Sequence, residues 1–299
     1  MNRAGGDAQR SARVALLLCA ASVAGLTLAR AAVSAFSIGG LAAILAQALM
    51  LVLFVLTPSV LGLLVLDGDR THTVRFASLN TAQIACYGAA GALAVFPAAL
   101  LGGLLEVIAQ SFAGAVSQAV AATQLSASLF LPMLLCHALL APVGEELFFR
   151  GYLLGSFEAC VGRRRAVAAT SLLFALAHGF GSMTPVHLLL GLLFALLALR
   201  ANSVLAPMLA HACYNAALVS LQFLGAGALL NVRSLPACAL MLLGSAMFAA
   251  AFWRALALRG SVHRARVWDG RGLSRRELTL LAGAALALVA SLIVGGLLR

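Results

Sequence analysis

The sequence predicts an all-α fold: a polytopic transmembrane helical bundle of about 8–9 spans. The chain of 299 residues is 63% hydrophobic and only 10% charged, which is more apolar surface than a soluble domain of this size can bury. Long uncharged runs recur from one end to the other, so no segment is polar enough for a separate soluble domain. The runs lack the alternation of barrel strands, and helices satisfy their own backbone hydrogen bonds inside a bilayer.

The first third of the chain contains three predicted spans. Residues 1–13 are polar and basic, and the short apolar run Val14–Ala29 fits either a signal peptide or a first span, of which we favour a retained span. The second run, Leu41–Leu66, exceeds the roughly 20 residues that cross a bilayer, and it ends at the polar turn Asp67–Arg70. The third run covers Leu79–Leu105.

The middle of the chain contains the longest predicted element. Residues Glu106–Ser128 are mixed in polarity and predict an interfacial helix or loop. A nearly polar-free run begins at Leu129 and continues to the basic cluster Arg163–Arg165, and its two prolines are compatible with a broken helix. Five further spans are expected after this cluster: Ala166–Phe180, Pro185–Leu199, Val204–Leu224, Ala237–Phe252 and Leu278–Leu298.

The basic residues indicate the orientation of these spans. All 20 are arginines, and with the N-terminus inside only Arg30, Arg233 and Arg299 fall in outside loops. Because inside loops are enriched in basic residues, the sequence predicts a cytoplasmic N-terminus. The stretch Arg254–Arg276 is then a cytoplasmic loop facing anionic lipid, so the net charge of +11 does not indicate binding to nucleic acid.

The six cysteines predict neither a disulfide framework nor a thiolate metal site. All of them lie in or beside apolar runs without CxxC spacing: Cys19, Cys86, Cys136, Cys160, Cys213 and Cys238. We expect small packing residues within the membrane, although a single disulfide between two of them is compatible with the sequence.

Two adjacent carboxylates and one guanidinium stand in the fourth run. Ionisable groups at bilayer depth cost several kcal/mol unless they are paired or face a wet cavity, which makes them candidate functional residues. On a helix, Glu146 and Arg150 share a face, whereas Glu145 lies about 100° away from Glu146. The arginine can therefore neutralise one carboxylate and leave the other as a general base for water. A buried structural ion pair is the alternative interpretation.

Two further polar pairs lie downstream, each four residues apart and so on one helical face: Phe174 with His178, and His211 with Asn215. A single histidine in an apolar run is most often a packing residue, but three polar sets in one bundle favour a shared site. Four other histidines and Glu158 receive no role: His72, His137, His187 and His263, of which His187 is compatible with the mouth of a cavity.

The three polar sets occur in the order that is typical of the CPBP intramembrane proteases, which this chain resembles over about residues 125–225. That family includes the type II CAAX prenyl endopeptidases and the Abi, or bacteriocin-immunity, proteins. Its motifs EExxxR, FxxxH and HxxxN are matched in sequence order by Glu145, Glu146 and Arg150, by Phe174 and His178, and by His211 and Asn215.

The resemblance implies a role for each motif residue. Glu145 would activate water with the help of His178, while His211 and Asn215 would stabilise the oxyanion of the tetrahedral intermediate. The remaining motif residues would support and orient the site: Glu146, Arg150 and Phe174.

This reaction would require no cofactor. The alternative is one zinc ion bound by Glu145, His178 and His211 with water as the fourth ligand. The chain has no HExxH motif, and we favour the metal-independent glutamate.

The expected function is that of a CAAX-type intramembrane endopeptidase, a hydrolase that cleaves a membrane-associated polypeptide in a bacterial inner membrane. Its partners would be membrane lipid and a peptide or protein substrate, prenylated or not, and no nucleic acid.

The catalytic core would comprise residues 123–225. It would be flanked by transmembrane helices in residues 1–122 and in residues 226–299, and the second group would include the basic cytoplasmic loop. A catalytically silent immunity or scaffold protein and a transporter with a proton relay are the alternatives. The intact pair His211 and Asn215 favours catalysis.

Overall fold

The structure, a computed structural model, describes residues 3–65, 74–113 and 126–258. In these three ranges the chain is built of helices and contains no β-strand, only an isolated antiparallel bridge between Phe76 and Ser203. The all-α prediction is therefore confirmed.

Eight helices follow one another in the described ranges, at the positions of the first eight predicted spans. They are α1 (Arg3–Ala35), α2 (residues 40–65), α3 (residues 81–113), α4 (Ala127–Val161), α5 (Arg163–Ala177), α6 (Thr184–Ala201), α7 (Leu205–Phe223) and α8 (Leu235–Ala257). The parts of the sequence prediction that lie outside the described residues are the Asp67–Arg70 turn, His72, the basic loop from residue 259 onward with His263, and the span Leu278–Leu298.

Six of the eight described helices are long and apolar enough to cross a membrane, the exceptions being α5 and α7. Helix α5 has only 15 residues and begins with three arginines, and α7 contains His211 and Asn215. Both pack inside the bundle, α5 against α4 and α6, and α7 against α3 and α4. The chain is an integral membrane protein, and the predicted count of 8–9 spans is approximate.

Several helix boundaries differ from the sequence prediction. Helix α3 continues through Val95–Ala113, so it extends past the predicted end of the third span at Leu105 and includes Glu106. Its carboxylate accepts hydrogen bonds from the Gln110 amide at 3.1 Å and from the Ser182 hydroxyl at 2.8 Å, which satisfy the polar groups on this last part of the helix. Arg30 was predicted in an outside loop but lies inside α1, because the helix continues to Ala35. Arg254 was predicted in the basic loop but lies in the last turn of α8, because that helix continues to Ala257.

Local sequence signals explain where helices begin and end. Helix α3 starts with a capping box, in which the Asn80 side chain accepts from the Gln83 N–H while the Gln83 side chain accepts from the Asn80 N–H. Between α4 and α5 the chain reverses at Gly162, whose φ of 80° is unfavourable for residues with a Cβ. The turn after α6 uses Asn202 in the left-handed conformation, which asparagine tolerates.

Helix α4 is continuous but irregular. Its α-helical segment Ala141–Glu146 is flanked by two π-helical segments, Leu134–Leu140 and Leu147–Leu153. Pro142 has no N–H for the carbonyl four residues earlier, which disfavours regular α-helix before it. Such π-helical turns occur often at functional sites, and here they surround the paired glutamates.

The loops at one end of the bundle are joined by polar contacts. Glu158 pairs with Arg75 and, at 2.8 Å, with Arg163. The Ser203 hydroxyl donates to the carbonyl of Ala77 at 2.6 Å. The segments that follow α2, α4 and α6 therefore meet at one end, as the predicted arrangement of arginines requires.

All six cysteines are free.

Candidate active site

Three helices bring the predicted site residues together. Helix α4 carries the two glutamates and Arg150, α5 ends beside His178, and α7 carries His211 and Asn215. Helix α6 packs against α5 and α7, and its Gly191 lies so close to α5 that a Cβ would be 3.0 Å from the Ser171 carbonyl oxygen. The close packing places all three helices around one buried polar centre.

A fully buried ion pair forms the inner part of this centre. Arg150 Nη1 donates to Glu146 Oε1 at 2.9 Å, which is the pairing expected from their spacing. The same carboxylate oxygen lies 2.9 Å from His211 Nδ1. Because an ionised carboxylate only accepts hydrogen bonds, Nδ1 of His211 is the donor. Glu146 is thus occupied by two partners and connects α4 with α7.

The guanidinium of Arg150 is held by its other surroundings as well. Its Nη2 donates to the Gly191 carbonyl at 2.9 Å, and its carbon lies 4.4 Å from the ring centre of Phe174 and 5.5 Å from that of Phe194. Cation–π contacts of this kind offset part of the cost of burying the charge. Phe174, predicted as a supporting residue, is therefore part of the wall around Arg150.

Glu145 and His178 form a second, more accessible pair. Glu145 Oε2 lies 3.5 Å from His178 Nε2, and the two side chains are 13% and 24% exposed. Within the described part of the chain, this buried Oε2 has no hydrogen-bond partner, and the same is true of Oε2 of Glu146. Glu145 is consequently the carboxylate that Arg150 leaves unbonded, and it faces the histidine that the sequence analysis grouped with it.

The backbone sets the orientation of the His178 ring. Its Nδ1 lies 2.8 Å from the carbonyl oxygen of Phe174. A carbonyl can only accept, so Nδ1 carries a proton, and in the neutral ring Nε2 presents its lone pair toward Glu145. Two proton acceptors therefore face each other, an arrangement suited to receiving a proton from a water molecule.

Asn215 and His211, the predicted oxyanion donors, each have one polar group already engaged. The Asn215 amide donates to the His137 carbonyl at 2.7 Å, which ties α7 to the first π-helical segment of α4. An amide nitrogen has two hydrogens, so one remains for a further acceptor. His211 has Nδ1 bound to Glu146 and would donate to an oxyanion through Nε2, which requires a doubly protonated ring.

Two residues of α6 that received no role from the sequence also contact this centre, although His187 was noted as compatible with the mouth of a cavity. The ring of His187 stacks on His178, with centroids 4.5 Å apart, and the ring of Phe194 stacks on His211 at 4.7 Å. Together with Gly191 they lie at positions i, i+4 and i+7 of one helical face. That spacing was the available signal, but it was obscured because almost every residue of α6 is apolar.

The three ligands of the zinc alternative belong to two different pairs in this arrangement. No group of three or more His, Cys, Asp or Glu side chains in the described ranges is placed to bind a metal ion. Glu145 and His178 form a pair, while His211 directs Nδ1 to Glu146. The Nδ1 bonds of His178 and His211 leave their Nε2 atoms as the nitrogens that a metal ion would use.

Comparison with known families supports the resemblance that the motifs indicate. Residues 127–217 match the family model described as type II CAAX prenyl endopeptidase Rce1-like. The match covers a little less than one third of the chain, extends from α4 into α7 and contains all seven motif residues. No curated protein and no solved structure matches the chain.

Proposed function

We propose that this chain, whose residues 127–217 form a type II CAAX prenyl endopeptidase-like domain, is an active intramembrane endopeptidase. The observation that carries the proposal is that two adjacent carboxylates have different partners and different exposure. Glu146 is fully buried and bonded through Oε1 to both Arg150 and His211, while Glu145 is partly exposed and faces His178.

Glu145 is the general base of the proposed reaction. A water molecule bound at its Oε2 transfers one proton to the carboxylate as its oxygen attacks the carbonyl carbon of the peptide bond. His178 presents the Nε2 lone pair to the same region and orients the water. General base catalysis by a positioned side chain typically contributes about 10²–10⁴-fold in rate.

His211 and Asn215 stabilise the oxyanion that forms on the former carbonyl oxygen. The first donor is Nε2–H of the doubly protonated His211 ring, whose positive charge Glu146 balances through Nδ1. The second is the amide hydrogen of Asn215 that His137 does not use. The C–N bond then breaks, and the leaving amine receives the proton that Glu145 accepted from water.

The substrate of this reaction is a membrane-associated polypeptide, and a prenylated CAAX-type tail is the form that the name of the matched family suggests. We place the protein in a bacterial inner membrane with a cytoplasmic N-terminus. Residues 123–225 act as the catalytic core between two flanking groups of transmembrane helices, and no metal cofactor takes part.

The proposal is tested with detergent-purified protein and a panel of quenched fluorescent peptides, prenylated and unprenylated. Wild type is compared with Glu145→Ala, and both are assayed with and without a chelator. We expect cleavage of at least one peptide by wild type, loss of cleavage in Glu145→Ala and no effect of the chelator.

Other outcomes would contradict parts of the proposal. Cleavage that is lost to the chelator and restored by zinc would establish a metalloprotease. A Glu145→Ala variant as active as wild type would remove Glu145 as the base. Absence of cleavage for every peptide would favour the silent immunity or scaffold protein.

A further inference from the structure

The ring of His178 lies at the end of a helix, where the backbone alone does not fix its orientation. Helix α5 ends at Ala177, and Gly179 follows with a φ of 106°. Arg30 Nη1 donates to the carbonyl of Ala177 at 2.9 Å, which ties this helix end to α1. The terminal torsion of a histidine side chain has broad, roughly two-fold preferences. The ring therefore needs side-chain contacts to keep Nδ1 on the Phe174 carbonyl.

His187 supplies such a contact from the neighbouring helix. Its ring stacks on that of His178, with centroids 4.5 Å apart and planes inclined by 27°. The ring belongs to the first turn of α6, where the His187 N–H donates to the Met183 carbonyl at 3.1 Å. Helix α6 packs against α5, so the stacking ring is presented by a regular helix. Stacked aromatic rings stabilise each other beyond the area that they bury.

The polar atoms of His187 do not explain its place in the site. Its Nδ1 is buried and has no hydrogen-bond partner within the described ranges. A buried polar atom without a partner is unfavourable, and a phenyl ring in the same place would avoid that cost. The contact of this side chain that bears on the site is thus its ring face against His178.

We propose that His187 is a positioning residue of the endopeptidase site, whose ring holds the plane of His178 so that the Nε2 lone pair points toward Glu145 and the bound water. The inference rests on the proposed function and deepens it. In this role His187 touches neither water nor peptide and acts through His178. Because Nε2 of His178 lies 3.5 Å from Glu145 Oε2, a tilted ring would move the lone pair away from the water. Misplacement of a reacting group by about 1 Å can cost about 100-fold in rate.

Two other roles for His187 make different predictions. If one of its nitrogens passed a proton to the leaving amine, phenylalanine could not replace it. If its ring only filled space between α5 and α6, its loss would lower the stability of the protein and leave the kcat of the folded enzyme unchanged.

The kinetic test compares wild type with His187→Phe, which keeps a ring, and His187→Leu, which does not. Leu189→Ala is the control, because Leu189 is exposed and lies two residues later on α6. The kcat and KM for one peptide are measured in one detergent, together with the unfolding midpoint. We expect kcat to fall about 10-fold in His187→Leu with KM unchanged, and to recover to within about twofold of wild type in His187→Phe.

Nitrogen NMR of histidine-labelled protein tests the same contact without hydrolysis. The shifts of the ring nitrogens report which one carries the proton, and a His178→Gln spectrum identifies those of His178. We expect the form protonated on Nδ1 in wild type and His187→Phe. A second tautomer should be populated in His187→Leu, because a released ring can rotate away from the Phe174 carbonyl.

Equal losses of kcat in His187→Phe and His187→Leu would overturn the positioning role in favour of proton transfer by the imidazole. An unchanged kcat or an unchanged tautomer in His187→Leu would also overturn it, as would an equal loss of kcat in Leu189→Ala. If His187→Leu fails to fold, His187→Met replaces it, since methionine fills the space without a ring. If wild type cleaves no peptide while the ring at position 187 still decides the tautomer, the positioning contact stands and the endopeptidase function fails.

Discussion

At the residue scale, two neighbouring glutamates have opposite environments. Glu146 is fully buried and bonded to Arg150 and His211, whereas Glu145 is partly exposed and contacts His178. Removal of one partner from a buried pair leaves an uncompensated charge, while loss of a partly exposed carboxylate leaves the remaining pairs intact. The two residues should therefore differ in what they contribute to stability and to activity.

We predict that Glu145→Gln abolishes cleavage without lowering thermal stability, and that Glu146→Gln destabilises the fold. Rate should fall at least about 100-fold in the first variant, because the base is lost. Stability should fall by about 3–5 kcal/mol in the second, because Arg150 loses its buried carboxylate. Cleavage assays and unfolding midpoints in the same detergent measure both effects, and equal destabilisation by the two variants would contradict the assignment.

Asn215→Ala tests the oxyanion role. If the second amide hydrogen binds the oxyanion, kcat should fall about 100-fold while KM changes little, because the interaction forms only in the transition state. Loss of the bond to the His137 carbonyl should lower stability by only about 1 kcal/mol. A raised KM with unchanged kcat would instead indicate that Asn215 binds substrate.

At the scale of elements, the contact between α3 and α7 positions the catalytic helix. A Cβ at Gly91 would clash with the backbone carbonyl of Ala210, which is fully buried and precedes His211. Backbone cannot move aside as a flexible side chain can. The small residue on α3 thus determines how close α7 approaches.

We predict that Gly91→Ala lowers both stability and activity. Overpacking of a tight contact costs about 1–3 kcal/mol, and the shift of α7 should displace His211 from Glu146. Gly88→Ala, one turn earlier on the same helix, is the matched control, because its Cβ would lie 3.5 Å from Cys213 Sγ in ordinary contact. Alanine also has the higher helix propensity, so the control should be at least as stable as wild type. If Gly91→Ala and Gly88→Ala have the same stability and activity, the close approach of α3 and α7 does not determine the position of His211.

At the scale of the whole molecule, the two ends of the bundle are held by different polar contacts. Arg75, Glu158 and Arg163 meet at one end. Glu106 bonds with Ser182, and Arg233 with Gln110, at the other. Because basic loops are retained in the cytoplasm, the first of these ends should be the cytoplasmic one.

Single cysteines in a cysteine-free variant test this orientation. A membrane-impermeant maleimide added to intact cells should label Ala228→Cys, in the turn between α7 and α8, but label Arg164→Cys only after permeabilisation. Both residues are exposed, so access to the aqueous phase is the variable. Labelling of Arg164→Cys alone in intact cells would show the inverse orientation, and labelling of both would contradict their placement at opposite ends.

The order and type of the described helices could be predicted from sequence because they depend on local properties. Apolar runs of sufficient length form helices in a bilayer whatever their neighbours are. Spacing of four residues likewise placed Glu146 on the same face as Arg150. The extension of α3 past Leu105 was missed because Ser182, 76 residues away, satisfies part of the polarity of Glu106.

Only the tertiary structure decided how the helices combine their polar groups. Glu146 and His211 are separated by 65 residues, and Arg30 and Ala177 by 147, and no local pattern encodes such contacts. The stacking of His187 and Phe194 on the motif histidines has the same origin. By itself the sequence determined an apolar all-helical chain with three motifs that carry the candidate chemistry. Packing decided which carboxylate is neutralised, which faces a histidine, and which arginine lies beside the site, because these depend on distances across the bundle.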